Sequence, residues 1–135
     1  MPDHASVVLA IATLASREMQ VRYVAEGDAS EYLLANEILQ DAVSSKYWID
    51  DPRHAGFLTE NERAALDDVL TAIDRNIDAA LAPETFEAMG EAIRNGAAWK
   101  ALRAEASRAC IVYGLPAHPS IADCEALEEA ALKDP

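Results

Sequence analysis

Apolar residues recur at three- and four-residue intervals along most of the chain, and the strict alternation typical of strands is almost absent. Alanine, the best helix former, is the commonest residue, and Gly and Pro fall mainly between the periodic segments. The pattern predicts an all-α fold. We expect a single compact bundle of five to six amphipathic helices that occupies residues 1–135.

The first helix is expected to begin near Pro2 or Asp3 and to end near Glu26, where Gly27 provides a stop. Its first half is apolar on all sides, which indicates either the central helix of the bundle or a contact with a second subunit. The apolar run at 5–15 lacks the preceding basic residues of a secretory signal. It is also shorter than the roughly 20 residues of a membrane span. We therefore expect a cytoplasmic protein that does not associate with membranes.

A second helix is expected to begin at a capping-box-like sequence at 28–31 and to end between Ser44 and Trp48, before a loop at 50–56. The third helix has the clearest pattern, because Thr59 and Glu62 match a capping box at its start. Six apolar residues then form one face of this helix: Leu66, Val69, Leu70, Ile73, Ile77 and Leu81.

The last third of the chain predicts three shorter helices. Pro83 fits the first turn of a fourth helix, and Gly96 separates it from a fifth helix that stops at Gly114. A sixth, acidic helix follows. Cys110 and Cys124 lie on apolar helical faces, which is typical of free thiols in a core and of a reducing compartment.

Catalytic and cofactor motifs are not found in the sequence. His4, His54 and His118 lie near the terminus or in loops, and the Glu-x-x-His and paired-cysteine spacings of metal sites do not occur. We therefore expect no cofactor and no metal. A small metal-dependent helical enzyme that uses Glu18 or Glu91 is kept as the least favoured alternative.

Charge is the most unusual property of this chain. There are 24 acidic and 11 basic residues, a net charge of −13, and the sequence pI is about 4.4. Such a balance argues against direct binding of nucleic acid. Residues 59–91 carry nine acids and two bases, whereas residues 94–108 carry four bases and one acid. At about 100° per residue, four acids share one flank of the third helix, and we call them the acidic ribbon: Glu60, Asp67, Asp74 and Asp78.

The acidic ribbon favours a non-enzymatic protein-binding module, an inhibitor or adaptor that docks onto a basic protein partner. In its sharpest form this is nucleic-acid mimicry, the strategy of small acidic inhibitors of phage origin. Trp48 and Phe57, with Tyr47, are the candidate apolar anchors, and core packing is the competing use of these rings. Three alternatives stay open: a solvated acidic face that serves only solubility, an acidic face neutralised within the monomer by residues 94–108, and a homodimeric structural subunit that associates through the first helix.

Overall fold

The computed structural model describes residues 4–27, 34–54 and 56–133, and these residues contain helices and no strand. The all-α prediction is confirmed. In chain order the elements are α1 (His4–Ala15), α2 (Arg17–Gln20), a π-helical segment (Val21–Ala25), α3 (Ala35–Asp50), a 3-10 turn (Pro52–His54), α4 (Glu60–Ala80), α5 (Phe86–Asn95), α6 (Ala97–Val112) and α7 (Ile121–Lys133). The described part of the chain therefore holds seven α-helices, and the predicted count of five to six is low.

The predicted first helix is divided at Ser16, which explains the additional α-helix. Ser16 is extended, with φ −86° and ψ 102°, and its hydroxyl oxygen accepts a hydrogen bond from the Met19 amide at 3.2 Å. It thus caps α2, and the helix continues through the π-helical segment to Ala25. The expected end near Glu26 is correct, and the expected start at Pro2 or Asp3 lies outside the described residues.

Gln20 satisfies the backbone groups that this break exposes inside the protein. Its side chain is fully buried, and Nε2 donates to the Thr13 carbonyl at 3.0 Å and to the Leu14 carbonyl at 2.8 Å. Its Oε1 accepts a hydrogen bond from Nη1 of Arg103 on α6 at 2.8 Å. One amide side chain therefore supplies donors to the end of α1 and fixes a residue of α6.

Helix α1 is the central helix of the fold. It contacts α3, α6 and α7, and Val7, Ile11 and Leu14 are fully buried. Of the two explanations for its all-round apolar surface, packing within the same chain accounts for these residues. No helix in the described ranges is long and apolar enough to cross a membrane.

Helix α3 differs from the prediction at both ends. The residues predicted to cap it, 28–31, lie outside the described residues, and α3 itself begins at Ala35 after an extended Leu34 with no side-chain cap. It ends at Asp50, two residues beyond the expected limit of Trp48. Ile38, Leu39 and Ala42 are buried, whereas Leu34 is 46% exposed.

Helices α4 and α6 pack against each other in antiparallel orientation and are joined at both ends. The Trp99 indole donates from Nε1 to the Ala80 carbonyl at 3.0 Å, and the Tyr113 hydroxyl donates to the Glu62 carbonyl at 3.0 Å. The predicted capping box of α4 is present, because Thr59 and Glu62 exchange both hydrogen bonds. These contacts fix the axis and rotation of α4, and therefore the direction in which its polar flank points.

The shorter helices begin and end near the predicted Gly and Pro positions, with one shift. Helix α5 begins at Phe86 and is capped by the Thr85 hydroxyl, so Pro83 precedes the helix rather than entering its first turn. Helix α6 ends at Val112 and is stopped as predicted by Gly114, whose φ of +78° completes a Schellman motif in which the Leu115 amide donates to the Cys110 carbonyl.

The two cysteines are free and buried, as expected from their apolar neighbours. Burial raises the pKa of Cys110 to about 12, and burial likewise raises the pKa of Cys124 to about 11.

Both thiols should therefore fail to react with an aromatic disulfide reagent at about pH 8 in the native protein and react fully in concentrated urea. The unfolded chain loses these protons first, so the free energy of unfolding should fall as pH rises from about 9 towards 11. Rapid reaction of either native thiol would contradict this placement.

Replacing Gln20 with Met should lower the free energy of unfolding by about 3 kcal/mol. The substitution keeps the volume but leaves the Leu14 carbonyl and the Arg103 guanidinium without this partner, each costing about 1–3 kcal/mol when buried, and the Thr13 carbonyl keeps only the Ser16 amide as a donor. Urea unfolding followed by circular dichroism measures the change. The matched control is Gln40→Met, because Gln40 is exposed on α3 and should change stability by less than about 0.5 kcal/mol. Equal effects of the two substitutions would contradict the role of Gln20.

Candidate partner-binding surface

Helix α4 presents the acidic ribbon to solvent along nearly its whole length. Glu60, Asp67, Asp74 and Asp78 are all exposed. The first and last of them are 18 positions apart on a continuous 21-residue helix, which corresponds to about 27 Å along the axis. The predicted common flank therefore exists as a linear array of carboxylates. Whether it binds a partner stays a prediction.

Beside this array, α3 and α4 enclose an open groove of about 580 Å³, which we call the α3–α4 groove. Its floor is apolar and includes Val43 of α3 with Leu70 and Ile77 of α4. These three side chains are only partly buried, because they pack on the edge of the core. Asp67 and Asp74 line the groove on the α4 side, so two members of the acidic ribbon border an apolar surface.

The α3 side of the groove carries Lys46, Tyr47 and Asp50. Tyr47 is 77% exposed, the largest exposure of any aromatic side chain in the described residues. Lys46 Nζ lies 3.1 Å from both Asp50 Oδ1 and Asp67 Oδ1. Hydrogen bonds to Asp67 and then to Asp50 raise the pKa of Lys46. Lys46 is thus the one cation that lines the groove, against the carboxylates of Asp50, Asp67 and Asp74, and Arg63 outside the groove lies 3.9 Å from Asp50.

The remaining acids of the ribbon have no cation within 4 Å among the described side chains. This applies to Glu60, Asp74 and Asp78. The basic residues of 94–108 are directed elsewhere: Arg94 pairs with Glu26 at 2.9 Å, and Arg108 pairs with Glu105 of its own helix. Helix α6 therefore does not neutralise the acidic ribbon, and Lys46 of α3 pairs with only one of its four carboxylates.

The aromatic anchors proposed from sequence do not lie in the groove. Trp48 is only 9% exposed, and its ring stacks on His54 at a centroid distance of 4.0 Å. Phe57 meets the Trp48 ring edge-on at 5.1 Å and is 52% exposed. His54 is held in place by a 2.6 Å contact between Nδ1 and the Trp48 carbonyl. Trp48 is thus a core residue that supports Phe57, and of the three named rings only Tyr47 borders the groove.

The alternative metal-dependent site gains no support from the geometry. Glu18 lies beside arginines in a separate pocket, and the Glu91 carboxylate accepts a hydrogen bond from Asn95 at 3.0 Å. The described residues contain no cluster of three or more metal-ligating side chains.

Sequence reasoning missed the groove itself. Its apolar floor combines residues from two helices, and Lys46 meets Asp67 across the interhelical space, so neither can be inferred from one helix alone. The only sequence signal was the width of the apolar stripe on α4, which extends through Leu70 and Ile77 towards the acidic flank. Comparisons with family models, with curated protein sequences and with solved structures found no match.

Asp74→Asn and Asp78→Asn should leave the free energy of unfolding unchanged or raise it by up to about 0.5 kcal/mol. Neither carboxylate has a cationic partner among the described side chains, and neutralising one relieves repulsion along the ribbon. Asp67→Asn is the comparison, because it breaks the exposed pair with Lys46 and should cost up to about 1 kcal/mol. The check is urea unfolding at low salt. A loss above about 1 kcal/mol for Asp74→Asn would show that this carboxylate serves the fold.

Proposed function

We propose that this protein is a non-enzymatic binding module that acts as an inhibitor or adaptor by docking onto a basic protein partner. The observation that carries the proposal is the juxtaposition, on one side of α4, of an apolar groove with the acidic ribbon, in which Glu60, Asp74 and Asp78 have no cation within 4 Å among the described side chains. Carboxylates alone favour solubility and a fast encounter with a basic partner, and an apolar floor alone favours packing against an apolar surface. Together they define a surface that discriminates by both charge and shape.

The occupant that fits this surface is a basic amphipathic helix of the partner. Its apolar face would cover Val43, Leu70 and Ile77, and Tyr47 would pack against its edge. Its lysines or arginines would meet Asp50 and the acidic ribbon. Helices that dock in grooves present apolar anchors at i, i+3 or i+4 and i+7, which matches an elongated site between two helices.

Pure nucleic-acid mimicry is the narrower form of the same idea, and the apolar floor argues against it as the whole mechanism. A protein site built for phosphates requires charge at defined positions and has no need of a partly buried apolar contact. A basic partner that also binds nucleic acid remains compatible with the proposal, provided that the contacting segment has an apolar face.

The homodimeric alternative loses its main support. It was proposed because α1 is apolar on all sides, and α1 is covered by α3, α6 and α7 of the same chain. No other observation on the described residues favours a second copy, so the binding module is the function that we propose.

A designed basic helical peptide tests the proposal directly. We suggest a peptide of about 18 residues with leucines on one face and lysines on both flanks, titrated by isothermal calorimetry at about 50 mM salt. The wild-type protein should bind it, and Asp67→Lys/Asp74→Lys should weaken binding at least about tenfold, since two attractive contacts become repulsive. Tyr47→Ala should weaken binding severalfold without changing stability, because the ring is exposed.

Two controls separate the groove from general acidity. Glu84→Lys/Glu125→Lys makes the same change in net charge at exposed acids outside the groove, and it should alter affinity by less than about twofold. A peptide with the same leucines and with glutamates in place of the lysines should not bind. Equal loss in both double variants, or equal binding of the two peptides, would refute the proposed site. If Asp67→Lys/Asp74→Lys weakens peptide binding and Tyr47→Ala does not, the amphipathic partner is refuted and docking depends on charge alone.

A further inference from the structure

Four of the eleven lysines and arginines of this acidic chain line one pocket. The pocket has a volume of about 540 Å³ and lies where α1, α2, α5, α6 and the segment before α7 meet. Its cations are Arg17, Arg94, Lys100 and Arg103, and His118 lies beside them. We call this set the basic pocket. Like charges repel one another, so their convergence costs free energy unless something anionic is present.

Arg103 is the least compensated member of the basic pocket. It is only 8% exposed, and the only hydrogen-bonding partner found for it within the described residues is the neutral amide oxygen of Gln20. No carboxylate of the described residues lies within 4 Å of it. Burial and then the nearby Arg17 lower the pKa of Arg103, yet a guanidinium remains charged in proteins. A buried charge with a neutral partner is costly, which indicates that its counter-ion comes from outside the chain.

Of the neighbouring cations, Arg17 and Lys100 have no carboxylate within 4 Å in the described part of the chain, whereas Arg94 has one. Arg17 donates from Nη2 to the Arg94 carbonyl at 3.3 Å, a contact that orients the guanidinium without neutralising it. Arg94 pairs with Glu26 at 2.9 Å, and both side chains are partly exposed. Glu18 lines the same pocket and is its only carboxylate. Counting Glu18 and Glu26 against four cations, the site keeps an excess of positive charge.

We propose that the basic pocket binds the oxyanion group of a small organic molecule, a phosphate monoester or a carboxylate. Arginine presents planar paired donors that match either group, and Lys100 adds a mobile point charge. The Ser107 hydroxyl supplies a further donor, while Ala15, Ala104 and Pro119 form apolar walls. The volume exceeds that of the oxyanion alone, so it also accommodates the carbon skeleton of a small ligand.

This site is independent of the proposed partner surface. The basic pocket and the α3–α4 groove share no lining residue. Failure of one proposal therefore leaves the other unchanged.

The direct test is calorimetric titration of the full chain with inorganic phosphate, ribose 5-phosphate and citrate, each to about 10 mM. The wild-type protein should bind at least one of them and show a higher melting temperature in its presence, because a ligand bound to the native state stabilises it. Preference for ribose 5-phosphate identifies a phosphate ester as the ligand class, and preference for citrate identifies a carboxylate. Binding of none of the three overturns the proposal.

Variants locate the binding. Arg17→Gln/Lys100→Gln should weaken the bound anion at least about tenfold, because two charged contacts are lost. Arg75→Gln is the control, since Arg75 is exposed on α4 and lies outside the basic pocket. Equal affinities in the double variant and the control overturn the assignment.

Arg103→Met tests the buried cation separately. It should abolish anion binding and lower the melting temperature of the ligand-free protein by less than Gln20→Met does, because the buried Gln20 Oε1 loses its donor while an uncompensated buried charge is removed. If this variant still binds the anion, Arg103 is only a structural partner of Gln20. The same conclusion follows if the wild-type protein binds no anion and the variant has a lower melting temperature. If Arg103→Met does not fold, the exposed pair Arg17→Gln/Lys100→Gln still decides the question.

Discussion

The fold depends on how the chain breaks its central helix inside the core. A helix that ends in a buried position leaves carbonyl groups that water cannot reach, and each must find a donor within the protein. Gln20 supplies that donor twice and then accepts a hydrogen bond from Arg103. The break at Ser16 lets the chain turn towards α5, and the same amide determines where a buried cation of α6 lies. The hydrogen bonds that satisfy the backbone carbonyls at the break and those that position the Arg103 guanidinium therefore belong to one network.

That network helps to explain the separation of charge on the surface. The carboxylates of α4 are not neutralised by the cations of α5 and α6, because Arg94 of α5 pairs with Glu26, Arg103 of α6 is held by Gln20 and Arg108 pairs within its own helix. The protein consequently presents an acidic groove on the α3–α4 side and a basic pocket near α2 and α6. In a chain with a net charge of −13, the few cations could each pair with a nearby carboxylate, yet four of them line one pocket.

The features that the sequence predicts correctly are those fixed by local interactions. The Thr59–Glu62 capping box, the face from Leu66 to Ile73 and the stop at Gly114 each involve residues within a few positions of one another. Helix geometry alone also places Glu60 and Asp78 on one exposed flank. The break at Ser16 could not be predicted from the helical pattern, because the Gln20 side chain that satisfies its carbonyls is buried by packing and is also held by Arg103, 83 positions away. The groove and the basic pocket are likewise products of packing between helices, and Trp48 became a core residue because His54 and Phe57 fold over it.

The central claim is that the two charged surfaces are separate binding sites with opposite preferences. Amide chemical-shift mapping by two-dimensional NMR tests this most directly, with the basic helical peptide and ribose 5-phosphate added in turn to the same labelled sample. The account predicts that the peptide shifts amides of residues 40–50 and 67–77, and that the phosphate shifts those around Arg17, Lys100 and Ser107. Shifts scattered over the whole chain, or one set of amides responding to both ligands, would contradict it.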